Sequence, residues 1–297
     1  MHRRLCLGRV PILVFHSVRP RGAPMEGARG ELTLEAEVFD RGLAELRASG
    51  CTAIRCAQLF DHLQHGAPLP PRPVLLTFDD GWRDTWTVAT PILARHGFVA
   101  TLFVATDLLE RDHAPGIGGV TGYLAAHELR TLALQGTFEV QAHSASHAIL
   151  ARAATQSGER LTWFGERAPG EDEATQRERI AADLRRCRAR IAELCGTAPD
   201  FLAWPGGGVS KVGLDVALRE VGFKATFLTE QWAAEVTPSP ITMPRVFFSQ
   251  HWRGPGADAA RAWKMRGVVE WERGDWSGYL RLFLANRWMG WMGMARR

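Results

Sequence analysis

The chain is poor in cysteine, with only Cys6, Cys51, Cys56, Cys187 and Cys195 in 297 residues and no C-x-x-C pair. An odd number without paired spacing argues against a disulfide framework. No segment approaches roughly eighteen uninterrupted apolar residues, so a membrane-spanning helix is not expected. The arginines of residues 1–9 are followed by an apolar run that contains Pro11 and lacks a small-residue cleavage site, which reads as a strand and not as a signal peptide. A dense basic stripe is missing as well. The net charge is +4, and outside the C-terminal tail nothing suggests a nucleic-acid reader. Together these absences give the expectation of a cytoplasmic protein. With 46% hydrophobic residues the chain can bury a full core. Single α/β barrels of ~250 residues are common, so no second catalytic domain is required.

What the chain does contain is two polar motifs set behind apolar runs. Leu76-Thr77-Phe78-Asp79-Asp80-Gly81-Trp82-Arg83 ends at two adjacent carboxylates and a glycine, and His143-Ser144-Ala145-Ser146-His147 follows about sixty residues later. Two imidazoles and one carboxylate form the ligand set of a hydrolytic zinc site, and the remaining carboxylate is the base such a site needs. Each half also has a plainer reading. Asp-Asp-Gly is ordinary turn and helix-capping chemistry, and two histidines around serines can be capping or surface groups. The combination favours the metal, because both motifs stand at strand ends. Pro73 to Phe78 is a short continuous apolar run that suits a buried parallel strand, and Phe138 to Ala142 alternates. In α/β folds, ligands collect at the carboxyl ends of such strands. A helix starting at His143 would place His147 one turn on, where both imidazoles share an ion.

Strand-like runs at 10–18, 73–78, 98–105, 137–142, 200–204, 222–229 and 241–248 alternate with helical stretches. The clearest helix is Thr175 to Leu194, whose Ile180, Leu184, Ile191 and Leu194 fall near one face while arginines crowd the others. Residues 151–174, rich in Gly, Glu, Arg and Ala, read as a mobile loop at the mouth of the site. Trp163 and Phe164 within it are either substrate contacts or an apolar anchor.

The motifs carry a resemblance. T-F-D-D-G-W and H-S-x-S-H are similar to the first two motifs of the polysaccharide deacetylases, carbohydrate esterase family 4, which carry the NodB homology domain. Phe201-Leu202-Ala203-Trp204-Pro205-Gly206-Gly207 resembles the third motif, in which an aromatic-proline turn lines the site. Val10 to Val18, with His16 near its end, resembles the opening of the poly-N-acetylglucosamine deacetylases of bacterial biofilm systems, a branch with circularly permuted motifs. The likeness runs over residues 9–250 and implies a distorted, incomplete (β/α)7 barrel, with the deacetylase domain taken as residues 1–250. It implies a divalent metal, with zinc the expected ion, held by Asp80, His143 and His147. Asp79 is then the base and His16 the acid that protonates the leaving amine. Such an ion lowers the pKa of water toward neutrality from about 15.7.

Other positions follow from the same resemblance. The backbone N–H of Gly206, after Pro205, is the expected oxyanion donor. Trp204 and Trp82 are each either a platform for a sugar ring or packing at the rim. Many members carry an arginine two residues before the third-motif proline, where this chain has Ala203. Arg245 is the replacement expected to hold the catalytic aspartate; the alternative is a pairing with a structural carboxylate elsewhere.

Residues 251–297 form a basic, Trp-rich extension, with six of the eleven tryptophans and nine Arg or Lys against four Asp or Glu. Residues 276–292 resemble a basic amphipathic helix, which suits either a peripheral contact with the inner membrane face through residues 256–297 or docking on the barrel. The functional expectation is therefore metal-dependent removal of N-acetyl groups from an amino sugar in a polysaccharide or lipid-linked glycan. Two alternatives remain: a non-catalytic glycan-binding or scaffold protein, and an amidase or deformylase acting on another C–N bond.

Overall fold

The apolar runs pair in parallel around a ring, and side-chain alternation along them separates an inner from an outer core. A computed structural model describes residues 10–20, 22–23, 32–111, 122–148, 164, 167–229, 239, 241–247, 264–270, 273, 277–278, 280–281 and 284. In chain order the elements are β1 (Ile12–Phe15), β2 (Ser17–Arg19), β3 (Thr33–Glu35), α1 (Ala36–Ala48), β4 (Thr52–Ile54) and α2 (Cys56–His65). Then come β5 (Pro73–Phe78), α3 (Thr90–His96), β6 (Ala100–Val104), α4 (Ala126–Gln135), β7 (Phe138–Ala142) and α5 (Glu173–Cys195). The last are β8 (Phe201–Ala203), α6 (Lys211–Asp215), β9 (Ala225–Thr229) and β10 (Thr242–Phe247).

The hydrogen-bonded order is β1-β10-β9-β8-β7-β6-β5, and β5 returns to β1, which closes a parallel seven-stranded barrel. Each expected strand supplies one stave. Two details differ from the sequence reading. The run expected as one strand over 10–18 breaks at His16, and β2 leaves the barrel to pair with β3. The short β4 was not anticipated; it takes Pro73 to Leu75 on the edge of β5 whose upper half, Thr77 and Phe78, pairs with β6.

Neighbouring residues on a strand face opposite cores. Leu75, Phe201, Phe227 and Met243 belong to an inner cluster with Phe103, and α2 packs beneath it through Cys56 and Leu59. Leu76, Phe78 and Leu102 face outward against Phe39 and Leu43 of α1 and Leu129 of α4. Leu202 and Leu228 face α5, where Ile180, Leu184, Cys187 and Ile191 form the buried stripe. The seam between β7 and β8 is the thinnest, with Ala142 opposite Leu202 as its registered pair. There the side chain of Gln141 substitutes for ladder bonds, its Oε1 accepting the N–H groups of Asp200 and Phe201 at 2.9 Å.

A described part of the C-terminal extension belongs to this outer core. Residues 264–270 are helical, and Met265, Val268 and Val269 join the cluster of α1. Gly42 makes room: a Cβ there would lie 2.6 Å from the Met265 thioether. Buried Glu270 accepts from Arg266 and Arg281 at 2.7 Å, and Arg273 donates to the carbonyl of Pro73 at 2.9 Å. Residues 264–270 thus lie beyond the boundary expected at residue 250 and pack with α1. Among the described residues no helix is long and apolar enough to cross a membrane. The described cysteines, Cys51, Cys56, Cys187 and Cys195, are free thiols.

Met265 is fully buried. Met265→Ala is expected to lower the unfolding free energy by about 2–5 kcal/mol in urea titration. An unchanged midpoint would show that this segment does not belong to the folded unit.

Candidate active site

The inner face of the barrel climbs from apolar to polar residues at its carboxyl rim. Asp79 stands four residues above inner Leu75, His16 four above Ile12, and Arg245 two above Met243. The sheet fixes their backbones: Asp79 N–H donates to the Phe15 carbonyl at 3.0 Å and His143 N–H to that of Val104 at 2.9 Å. Barrel rims of this polarity are where ligands gather.

Asp80, His143 and His147 converge, with one ligand atom from each lying within 4.8 Å of the others. The Nε2 atoms of His143 and His147 stand 3.3 and 3.1 Å from Asp80 Oδ1. His143 Nδ1 lies 2.8 Å from the Ala203 carbonyl, which can only accept. Nδ1 therefore carries the proton, and the Nε2 of a neutral ring turns its lone pair to the centre. Asp80 Oδ2 accepts from Trp82 Nε1 at 2.9 Å, whereas buried Oδ1 has no hydrogen-bond partner among the described residues. An orphaned carboxylate oxygen facing two imidazole nitrogens fits a divalent cation. Burial acts to raise the Asp80 pKa, but His147 and His143 outweigh it and hold the carboxyl well below the ordinary range.

The backbone here is unusual. Asp80, Ser144 and His147 have φ of 74°, 67° and 49°, and Gly81 has 89°. Left-handed non-glycine residues cost of order 1–3 kcal/mol each and cluster where geometry serves a site. The helix expected to start at His143 does not form. Residues 143–148 are a loop, and the two rings meet at 5.1 Å through its left-handed turns, not through an i, i+4 helical relation.

Asp79 is held by Arg245, which forks onto it with Nη1–Oδ1 at 2.6 Å and Nη2–Oδ2 at 2.7 Å. Arg245 is fully buried over the ring of Phe103, at 5.4 Å, and also donates to Thr77 Oγ1 at 3.2 Å. Burial raises the Asp79 pKa, but the charges of Arg245 and His143 and the Arg245 hydrogen bonds outweigh it, so its carboxyl stays below the usual range. His16 Nε2 lies 4.0 Å from Asp79 Oδ2. Burial is the largest influence on His16 and lowers its pKa, opposed by Asp80 and Asp79.

For Trp82 and Trp204 the second of the two roles read from the sequence, packing at the rim, is the one the burial favours. Trp82 is 1% and Trp204 0% exposed, and Pro205 is buried, so none offers a face to a sugar. Trp82 is stacked on Tyr123 at 4.6 Å, its N–H committed to Asp80. Trp204 packs on Phe164 at 5.5 Å, which makes Phe164 an apolar anchor. Gly206, with φ of 70°, is the exposed residue of that turn. Trp163 and most of the expected 151–174 loop lie outside the described residues.

Other parts of the site were not read from the sequence. Asp183 accepts the N–H groups of Ala145 and Ser146 at 2.7 and 3.1 Å. An acid beside Leu184 on an otherwise apolar stripe is a legible sign of a buried partner. Asp84 is buried with Ser17 and Arg19; burial pushes its pKa up to about 6, against the Ser17 hydroxyl and the Arg19 charge. Arg19 in turn lies 6.0 Å from the Trp82 ring centre.

The family model of polysaccharide deacetylases matches residues 66–226, just over half of the chain. That segment holds Asp79, Asp80, His143 and His147; His16 and Arg245 lie outside it. The chain is 24% identical over 240 residues to the poly-beta-1,6-N-acetyl-D-glucosamine N-deacetylase of Escherichia coli K12, an alignment covering 74% of this chain and 34% of that protein. It thus spans about a third of the length of that relative. A de-N-acetylase from Aggregatibacter actinomycetemcomitans superposes with a TM-score of 0.67 at 19% identity, covering 80% of this chain and 94% of the other. IcaB from Ammonifex degensii gives 0.66 at 20% identity, with 89% and 97% covered. At these identities the structures establish the shared fold.

Arg245→Met is expected to destabilise chelator-treated protein by about 3–5 kcal/mol near neutrality, since it leaves a buried carboxylate unpaired. The folded pKa of Asp79 lies below its unfolded value, so the stabilisation is present above the unfolded pKa of about 3.9 and fades as pH falls through the folded one. Urea titration of both proteins from pH 7 to 3 should show the gap shrinking on acidification; a constant gap would assign the loss to packing.

Proposed function

Since the chain belongs to the polysaccharide deacetylase family, we propose that it is a metal-dependent hydrolase that removes N-acetyl groups from an amino sugar in a polysaccharide or lipid-linked glycan. The observation that carries this reading is the convergence of Asp80, His143 and His147 beside an Arg245-held Asp79 at the barrel rim. A divalent ion, zinc by the chemistry of the donor set, would be held by those three residues and would supply a water of lowered pKa and polarisation of the acyl carbonyl.

The chain's own groups complete the chemistry. Asp79 accepts the proton of the attacking water. A carboxylate has about four lone-pair positions, so the two taken by Arg245 leave others for that proton. The Arg245 charge keeps the carboxylate ionised and limits its basicity. His16, 4.0 Å from Asp79, is assigned to give a proton to the departing nitrogen, which leaves poorly as an anion. Burial lowers the His16 pKa, and the charges of Asp80 and Asp79 offset only part of that. The N–H of Gly206 is assigned to the developing oxyanion, because the exposed turn after β8 allows close approach. The amino-sugar assignment is supported by the likeness to the Escherichia coli poly-beta-1,6-N-acetyl-D-glucosamine N-deacetylase.

Peripheral membrane contact is proposed for the extension beyond residue 270, since residues 264–270 are occupied by the core. Leu280 and Leu284, 56% and 41% exposed, stand four residues apart on helical backbone.

The purified protein is expected to release acetate from N-acetylglucosamine oligomers, to lose that activity with a chelator, and to regain it with zinc. Asp79→Asn should lower kcat by about 10²–10⁴-fold; full activity would remove the base assignment, and glycan binding without acetate release would favour a binding protein. For the extension, Leu280→Ser with Leu284→Ser should reduce co-sedimentation with anionic vesicles at unchanged Tm. Undiminished co-sedimentation would refute this contact.

A further inference from the structure

Resting on the reading of Asp80, His143 and His147 as metal ligands, we infer that Asp183 of α5 is a positioning residue that holds the histidine loop in its ligating shape. His143 needs no such help, because the sheet fixes its backbone and the Ala203 carbonyl its ring. His147 lies beyond the strand, at the end of a turn whose Ser144 and His147 are both left-handed. Neither residue is glycine, so the left-handed path is disfavoured by their own backbone preferences.

The turn is held instead from outside. One carboxylate of Asp183, 5% exposed, takes the consecutive N–H groups of Ala145 and Ser146, the two residues between the left-handed positions. These are charge-assisted bonds, stronger than neutral ones. The loop adds its own bond, from His147 N–H to Ser144 Oγ at 3.0 Å. On the opposite side the carbonyls of Ser144 and Ala145 accept from Thr106 and Asp107 N–H at 3.3 and 2.9 Å. Arg186 joins the two supports, 2.7 Å from Asp107 and 3.6 Å from Asp183. The described polar partners of Asp183 are the N–H groups of Ala145 and Ser146 and the Arg186 guanidinium, so its influence passes through the loop backbone to the placement of His147 Nε2. The same helix face buries Ile180, Leu184 and Cys187, which fixes the carboxylate relative to the barrel.

The test uses the full chain, stripped of metal and titrated with Zn²⁺ in competition with a chromophoric chelator, alongside hydrogen exchange of the peptide spanning 143–148 without metal. Asp183→Asn keeps size and one acceptor but replaces the second with a donor. It should weaken Zn²⁺ binding by about 10–100-fold and speed exchange at Ala145 and Ser146. Leu184→Val, a core change beside it, should lower Tm and leave Zn²⁺ affinity in place, which separates positioning from general stability. If Asp183→Asn does not fold, Asp183→Glu retains the charge and displaces the acceptors, and a severalfold loss of affinity is expected. Parent-like affinity in a folded Asp183 variant overturns the proposal. Failure of the unaltered chain to bind Zn²⁺ would overturn the metal reading instead; unchanged exchange in Asp183→Asn would then dispose of the loop-holding role as well.

Discussion

The buried pairing of Arg245 with Asp79 is the interaction on which the site depends. A guanidinium inside a barrel costs several kcal/mol to desolvate, and only a well-aimed partner offsets that. Here both oxygens of Asp79 meet the two terminal nitrogens, and Thr77 and the Phe103 ring complete the surroundings. Because β1 lies between β10 and β5, the pair reaches across a strand and ties the rim together. It also divides the charges. Asp79 is paired off by its partner, which leaves the carboxylate of Asp80 facing the ring nitrogens of His143 and His147, a donor set suited to a dication.

Much of the barrel was legible because buried parallel strands are strand-like apolar runs, as at Pro73–Phe78, while Phe138–Ala142 showed itself by alternation instead. The break at His16 was not, since Ser17 and Val18 continue the strand-like composition and leave the ring only because β3 offers a partner. The ligand types were legible from chemistry, whereas their geometry was not. An i, i+4 spacing suggests a helix, but the carboxylate of Asp183 and the edge at Thr106 select a left-handed loop, and both belong to remote parts of the sequence.

The aromatics show where composition misleads. Tryptophan beside a catalytic motif invites a sugar-stacking role, and sequence does not say which way a ring points. Trp82 turns inward, where stacking on Tyr123 and its hydrogen bond to Asp80 make it a support for a ligand. Trp204 fills the space above α5 with Phe164. Arg245 could be matched to Asp79 only through the family resemblance, because the two residues lie 166 positions apart.

Ring closure joins β1, the first of the described strands, to β10, the last of them, and residues 264–270 then cover α1. A ribosome delivers these partners in the least convenient order. While the middle of the chain is being made, β1 can rest on β5 with its other edge bare, and α1 waits with Phe39 and Leu43 partly uncovered. The nascent chain therefore carries an open, sticky intermediate until nearly all of these elements have emerged, the stage at which a holding chaperone would matter most.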